Sequence, residues 1–386
     1  MASTGTTAAA VPEVTLRSGN GKPMPMVGMG TASFPVVHEA VRDAVLAAIE
    51  VGFRHFDTAF LYGTEKPLGD AVAEALRRGL LRSREELFVT SKLWCSQTHA
   101  DLVLPSLRET LENLQMEYVD LYLIHWPVCL RPAGGPPKFP NRKEDAVPLD
   151  VAGVWRAMEE CQRLGLARAI GVSNFTTRHL DKVLAIAAVP PAVNQVELNP
   201  AWQQRTLRAY CADRGVHVAA YSPLGGQNWD GRGNAVLDSE VLAEIARARG
   251  KTVAQVSVTL AAGCVFWRAV AVSWTFAPAG EGLVDHAFVV YCLVCHTILF
   301  SFAFVFPYYQ VALRWIHEQG VTCIVKSYNR ERLKQNLEIF DWELTDDDRL
   351  KISHIPQRKV VEASGLFSQE GEFTSVDPAE LNIVEE

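Results

Sequence analysis

The chain has 386 residues, 48% hydrophobic and 21% charged with 20 prolines, which fits a globular protein with a large core, either one big barrel or two ordinary domains. Its formal charge of −7 supplies no basic field for a nucleic-acid backbone, and its eight cysteines, spread over this length, imply no disulfide framework. Residues 1–11 are rich in Ala, Thr and Ser but lack an apolar run and any Lys or Arg, so no secretory signal is expected and the cytosol is the expected compartment.

In chain order, short β-rich runs fall at 28–31, 54–59, 87–92, 118–126, 167–173, 193–198, 217–222 and 322–326. Helical patterns lie between them. Residues 38–52 place Val41, Ala44, Val45, Ala48 and Ile49 on one face, and 67–79, 101–114, 151–165, 177–187 and 205–215 follow, several ending at Gly. Strands that alternate with helices in this way suggest a closed parallel (β/α)8 barrel, a TIM barrel of the α/β class. A doubly wound open sheet has the same alternation. Against it, Gly28-Met29-Gly30-Thr31-Ala32-Ser33 is a poor dinucleotide fingerprint, with Ser at the third small position and no paired acid.

Residues 257–311 break the pattern. They hold only Arg268, Glu281 and Asp285 of the 81 charged residues, but 7 of the 17 phenylalanines and 3 of the 8 cysteines. Within them Ala287–Phe306 is twenty residues long with no formal charge except on a protonated His296, long and apolar enough to span a membrane. Removing the stretch joins 252–256 to 312–319 as one helix, with Val253, Val256, Ala312, Trp315 and Ile316 on a single apolar stripe. The flanks repeat as Gln255-Val256 and Gln310-Val311. Every Val codon begins GT and one Gln codon is CAG, so a translated intron with GT…AG borders would read as Val at its start and Gln at its end. A retained intron is therefore expected, in preference to an evolved domain or membrane anchor. The barrel can survive it: Pro307 suits a first helical turn, and Tyr308, Val311, Ala312, Trp315 and Ile316 rebuild the stripe over 307–319. A second helix, 238–250, should precede the insert. Closing a 55-residue excursion costs about 3.5 kcal/mol plus a constant, against a typical stability of roughly 5–15 kcal/mol. Cys292-Leu293-Val294-Cys295-His296 matches a c-type haem attachment pattern, but with no export signal or second ligand in view it is taken as coincidence.

Four segments carry chemistry: Phe56-Asp57-Thr58-Ala59-Phe60-Leu61-Tyr62-Gly63, Val89-Thr90-Ser91-Lys92-Leu93-Trp94, Leu123-Ile124-His125-Trp126-Pro127 and Ile170-Gly171-Val172-Ser173-Asn174-Phe175. In the first three a polar or ionisable residue stands at or just past the C-terminal end of a predicted strand, where barrels build their sites. Singly each has a plain reading: Lys92 as a surface charge, His125 as a satisfied core histidine, Tyr62 as a rim aromatic, Asp57 as a turn cap. Their recurrence on successive strands argues for a site.

In these motifs, in order and spacing, the chain resembles the aldo-keto reductases over 14–256 and 312–356, in particular the plant branch that holds the deoxymugineic acid synthases of grasses. The resemblance implies a (β/α)8 barrel with an N-terminal β-hairpin over 14–27 and a catalytic tetrad of Tyr62, Asp57, Lys92 and His125. Tyr62 would be the proton donor, Lys92 the neighbouring cation that favours tyrosinate and so lowers the phenol's pKa from about 10, Asp57 the group that fixes Lys92, and His125 the residue that orients the carbonyl. It further implies NADPH lying extended across the mouth. Thr31 and Asp57 would border the cofactor, with Ser173, Asn174 and Gln195 on the carboxamide, Tyr221 stacked on the nicotinamide, and Ser222 and Leu224 along the pyrophosphate. Lys326, Ser327, Asn329 and Arg332 would clamp the 2′-phosphate, and Gln335 and Asn336 would meet the adenine. Many relatives have Pro at the position of Val325 and Glu at that of Gln335, which bears on the adenine contact. Trp94, His125 and Trp126 would face the substrate, with loops 127–150 and 225–238 and the tail from 357 setting its choice. The expected activity is reduction of an aldehyde, ketone or 3″-oxo intermediate by a monomer that needs no metal and no nucleic acid, and meets membrane only through the insert. A barrel that has lost catalysis, or one misfolded or tethered by the insert, is the alternative.

Overall fold

The computed structural model describes residues 10–132, 137, 139–226, 233–250 and 308–377. Eight parallel strands close into a barrel: β3 (Val27–Gly30), β4 (His55–Asp57), β5 (Phe88–Leu93), β6 (Val119–Ile124), β9 (Ala167–Ser173), β10 (Val193–Glu197), β11 (His217–Tyr221) and β12 (Thr322–Val325). Each lies beside its successor in the chain, and β12 pairs back onto β3 through Cys323–Val27, so the open-sheet alternative is excluded. The sequence of β6, Val-Asp-Leu-Tyr-Leu-Ile, shows why: every residue is buried, one face turned into the barrel and the other to the helices.

The outer layer consists of α1 (His38–Val51), α2 (Glu65–Arg77), α3 (Val103–Leu114), α4 (Val151–Arg163), α5 (Thr177–Leu184), α6 (Arg205–Arg214), α7 (Glu240–Arg249), α8 (Tyr308–Glu318), α9 (Arg330–Leu337) and α10 (Asp346–Ser353). The five apolar residues expected to share a face of α1 are all buried. Where α2 crosses α3, Gly69 lets the backbones meet, since a Cβ there would stand 2.3 Å from the Leu114 carbonyl oxygen. The floor is closed by the hairpin β1 (Glu13–Val14) and β2 (Met24–Pro25), whose strands are only two residues each. Leu16 and Met24 pack there with Phe88, Leu121 and Val193.

The helices bordering the insert form as expected. α7 is capped by Ser239, whose hydroxyl accepts from the Leu242 N–H, and it packs against α8. In α8 Val311, Ala312, Trp315 and Ile316, four of the five residues of the rebuilt stripe, are buried. The side chain of Tyr308, the membrane-length run Ala287–Phe306 and the Cys292–His296 pattern lie outside the described residues. Among the described residues no helix is long and apolar enough to cross a membrane.

Candidate active site

Parallel strands deliver the four tetrad residues to one end of the barrel. Asp57 closes β4, Lys92 stands one residue before the end of β5, and His125 directly follows β6. Tyr62 is carried back over the mouth by a single 3-10 turn, Phe60–Tyr62, that ends at Gly63 with φ 62°, a left-handed conformation natural to glycine. Lys92 Nζ donates to Asp57 Oδ1 at 2.6 Å and to the Thr58 carbonyl at 2.9 Å, with the lysine fully buried. The other carboxylate oxygen accepts from Gln195 Nε2 at 2.7 Å. A buried ion pair persists only when its remaining hydrogen-bonding capacity is met, and here Thr58 and Gln195 meet it. The ammonium stands 4.9 Å from the centre of the Tyr62 ring. The Tyr62 hydroxyl lies 3.4 Å from His125 Nε2, and the imidazole stands edge-on to Trp94 at 5.4 Å.

The electrostatics divide the roles. Burial pulls the Lys92 ammonium down, but Asp57 and then Tyr62 more than reverse it, so Lys92 stays charged. Burial, seconded by Lys92, holds His125 well below the ordinary histidine range, so its ring is neutral. Its Nδ1 is buried without a hydrogen-bond partner. Tyr62 corrects the expectation from sequence: Lys92 does favour tyrosinate, but burial outweighs it and Asp57 opposes it, so the phenol lies above its ordinary 10.0. An ammonium already committed to a carboxylate has little net charge left to offer the phenol. The hydroxyl therefore keeps its proton, the state a donor requires.

Beside the tetrad runs a row of amides and hydroxyls. Ser173 Oγ donates to the Gln195 carbonyl at 2.7 Å, Asn174 Nδ2 to the His125 carbonyl at 3.0 Å, and the Tyr221 hydroxyl to Asn174 Oδ1 at 2.6 Å. Asn174 has φ 63° and Ser222 φ 49°, left-handed backbone that non-glycine residues hold at some cost and that clusters at functional sites. Thr31 donates to the Asp57 carbonyl at 3.1 Å, and its hydroxyl meets that of Thr64 at 2.7 Å. Leu224 is half-buried against the main core. Across the mouth, after β12, Lys326 reaches the Ala32 carbonyl at 2.8 Å. Asn329 caps α9 by accepting from the Arg332 N–H at 3.0 Å, and its own N–H is 3.2 Å from Ser327 Oγ. An ammonium, a guanidinium and a capped helix start in one place suit a phosphate. Gln335 turns towards Glu331 at 3.4 Å and Asn336 is buried.

Trp94 and Trp126 are buried in a second cluster with Val128, Leu130, Leu366 and Phe367, which joins the strand ends to the tail. Loop 127–150 holds a short ladder, β7 (Cys129–Leu130) with β8 (Ala146–Val147). Three residues of the mouth escaped the sequence reading. Thr64 ties Thr31 to Thr58, Asn141 holds the tail to this loop, and Glu197 is a buried carboxylate at the end of β10. The pattern Asn194-Gln195-Val196-Glu197 offered a signal for the last, an acid in a fully buried strand.

With this geometry in hand, the comparisons are specific. The Aldo/keto reductase family model matches residues 26–262, and the chain belongs to that family and with it to the NADPH-dependent oxidoreductases. It is 46% identical over 354 residues to deoxymugineic acid synthase 1-D of Triticum aestivum, covering 92% of this chain and 95% of that one. It is 47% identical over 359 residues to deoxymugineic acid synthase 1 of Oryza sativa subsp. japonica, covering 93% and 95%. A (1S)-1,7-diacetoxy-luvungin A aldo-keto reductase of Citrus sinensis is 45% identical over 370 residues, covering 95% and 97%. Among solved structures, a Bombyx mori aldo-keto reductase in complex with NADP superposes with a TM-score of 0.68 at 31% identity, covering 92% of this chain and 96% of that one.

Proposed function

We propose that the protein reduces a carbonyl with NADPH, Tyr62 giving the proton to the carbonyl oxygen. The observation that carries this reading is the sealed Lys92–Asp57 pair set against a protonated Tyr62 that faces a neutral His125. When bound, NADPH supplies hydride to the carbonyl carbon. Ser173, Asn174 and Gln195 would hold its carboxamide beside Tyr221, and Lys326 and Arg332 its 2′-phosphate. The substrate oxygen would sit between Tyr62 and His125, where the imidazole orients it and the phenol protonates it. Lys92 and Asp57 fix the phenol's surroundings, and Trp94 with Trp126 keeps water from the reacting carbon. Identity with the wheat and rice synthases supports a 3″-oxo intermediate of the deoxymugineic acid type as the substrate.

For residues 257–311 we retain the reading of a translated intron. The burial of Val311, Ala312, Trp315 and Ile316 in α8 supports a barrel able to form around it. The test is an NADPH-oxidation screen over aldehydes and ketones, with the full chain and a shortened chain that joins Val256 to Ala312. The shortened chain should be soluble and active, and the full chain poorly soluble or membrane-adsorbed with weaker activity. Equal solubility, NADPH affinity and turnover would make the insert a tolerated element. No oxidation by either chain would refute the reductase.

A further inference from the structure

We propose that Glu197 is a positioning residue that holds residues 357–368 as a strap across the barrel mouth, and so sets how large apolar carbonyl substrates are gripped. This rests on the reductase reading above. Glu197 stands two residues after Gln195 on β10, so both side chains leave the same side of the strand. Gln195 grips Asp57, while the Glu197 carboxylate accepts the Val360 N–H at 3.1 Å and the Val361 N–H at 2.8 Å. Just before this anchor, the Arg358 N–H donates to the Ala201 carbonyl at 2.7 Å.

The far end of the strap is fixed on the loop that follows β6, two strands round the barrel from β10. Asn141 donates to the Leu366 carbonyl from both its backbone N–H and its Nδ2, each at 2.8 Å, and the Ser368 N–H returns to the Asn141 carbonyl at 2.8 Å. Between the anchors Val361, Ala363, Leu366 and Phe367 pack into the cluster of Trp94 and Trp126. Trp126 directly follows His125 in sequence, and Trp94 stands edge-on to the His125 ring in space. The strap therefore forms one wall of the space in which a substrate must lie. Glu197 is buried, and burial pushes its pKa up to about 7 against the Val361 and Val360 N–H groups and the Lys359 charge. Two backbone N–H groups converging on a carboxylate make hydrogen bonds stronger than those between neutral groups.

The experiment replaces the anchors one at a time in the full chain: Glu197→Ala, Glu197→Gln and Asn141→Ala. For each, kcat and KM are measured with a three-carbon aldehyde and with a large apolar ketone, and NADPH affinity by fluorescence. Glu197→Ala and Asn141→Ala should each raise KM for the large ketone about tenfold or more, which corresponds to roughly 1.4 kcal/mol. The small aldehyde, kcat and NADPH affinity should move less than about twofold, and Glu197→Gln, which keeps one acceptor oxygen, should recover most of the loss. Equal KM increases for both substrates, or no change in Asn141→Ala, would overturn the proposal. If Glu197→Ala does not fold, Glu197→Gln and Asn141→Ala decide it. Trypsin supplies a reading independent of activity: cleavage at Arg358 or Lys359 should accelerate in Glu197→Ala and Asn141→Ala. Unchanged cleavage would contradict the strap, whereas a parent that oxidises no NADPH, matched by an equally inactive shortened chain, would contradict only the reductase.

Discussion

Two buried histidines stand at opposite ends of the barrel and are completed differently. His55 begins β4 at the floor, with Nδ1 3.0 Å from the Pro25 carbonyl and Nε2 3.3 Å from Thr90 Oγ1. Its ring packs so close to β3 that a Cβ on Gly28 would stand 2.8 Å away. His125 follows β6 at the mouth, with Nδ1 unpartnered and Nε2 3.4 Å from the Tyr62 hydroxyl. Burial lowers the pKa of both. The floor satisfies its histidine on both nitrogens and so gains a rigid closure. The mouth leaves its histidine half-paired, beside the left-handed Asn174, with only the Tyr62 hydroxyl on the nitrogen that a bound carbonyl would meet.

If chemistry belongs to the mouth alone, the largest effect falls on Tyr62→Phe. Turnover should drop about 10²–10⁴-fold, the worth of a positioned acid, with NADPH binding nearly unchanged in a fluorescence titration. Because the parent phenol lies above 10.0, any alkaline fall of kcat/KM for reduction should have its midpoint above pH 10, which a stopped-flow pH series checks. Next, Lys326→Ala combined with Arg332→Ala should raise KM for NADPH about tenfold or more, since charged hydrogen bonds contribute roughly 1.5–3 kcal/mol each. KM for NADH, which lacks the 2′-phosphate, should stay within about twofold. Equal losses for both cofactors would remove the clamp assignment.

The smallest effect concerns the floor. His217, bonded to Thr322 Oγ1 at 2.8 Å, is lowered from 6.5 to about 4, mainly by burial and then by His55. Between those values the unfolded chain binds a proton that the fold refuses. The stability His217 contributes is therefore complete above pH 6.5 and is lost as pH falls through 6.5 towards about 4. Calorimetry should show the Tm difference between the parent and His217→Asn shrinking on acidification from pH 7.5 to 4.5, with kcat unaffected. A constant difference would mean the ring titrates alike in both states.

The barrel was legible because its strands and most of its helices declare themselves locally: β-rich runs that form strands of three to seven residues, then a stripe such as that of α1 ending at Gly52. The meeting of Asp57, Lys92 and His125 was legible because a parallel barrel sends every strand end to one face, while their roles beside Tyr62 came from the resemblance to the aldo-keto reductases. The state of Tyr62 was not legible, because it depends on how two charges, Lys92 and Asp57, balance with burial in space. Nor was the strap: Glu197 and Val360 lie 163 residues apart, Asn141 and Leu366 lie 225 apart, and no local pattern encodes such pairings. The helix α10 also escaped, for its burial pattern is nearly flat, with only Asp348 and Ile352 buried.

The division of labour between floor and mouth is tested most directly by His55→Asn and His125→Asn measured side by side for Tm and for NADPH-dependent carbonyl reduction. His55→Asn should lose several degrees of Tm, as the removal of two buried hydrogen bonds implies, and keep kcat/KM within about twofold. His125→Asn should keep its Tm and lose kcat/KM at least tenfold. If His125→Asn retains full activity, or if His55→Asn loses activity as deeply as His125→Asn while remaining folded, the chemistry is not confined to the mouth and the account fails.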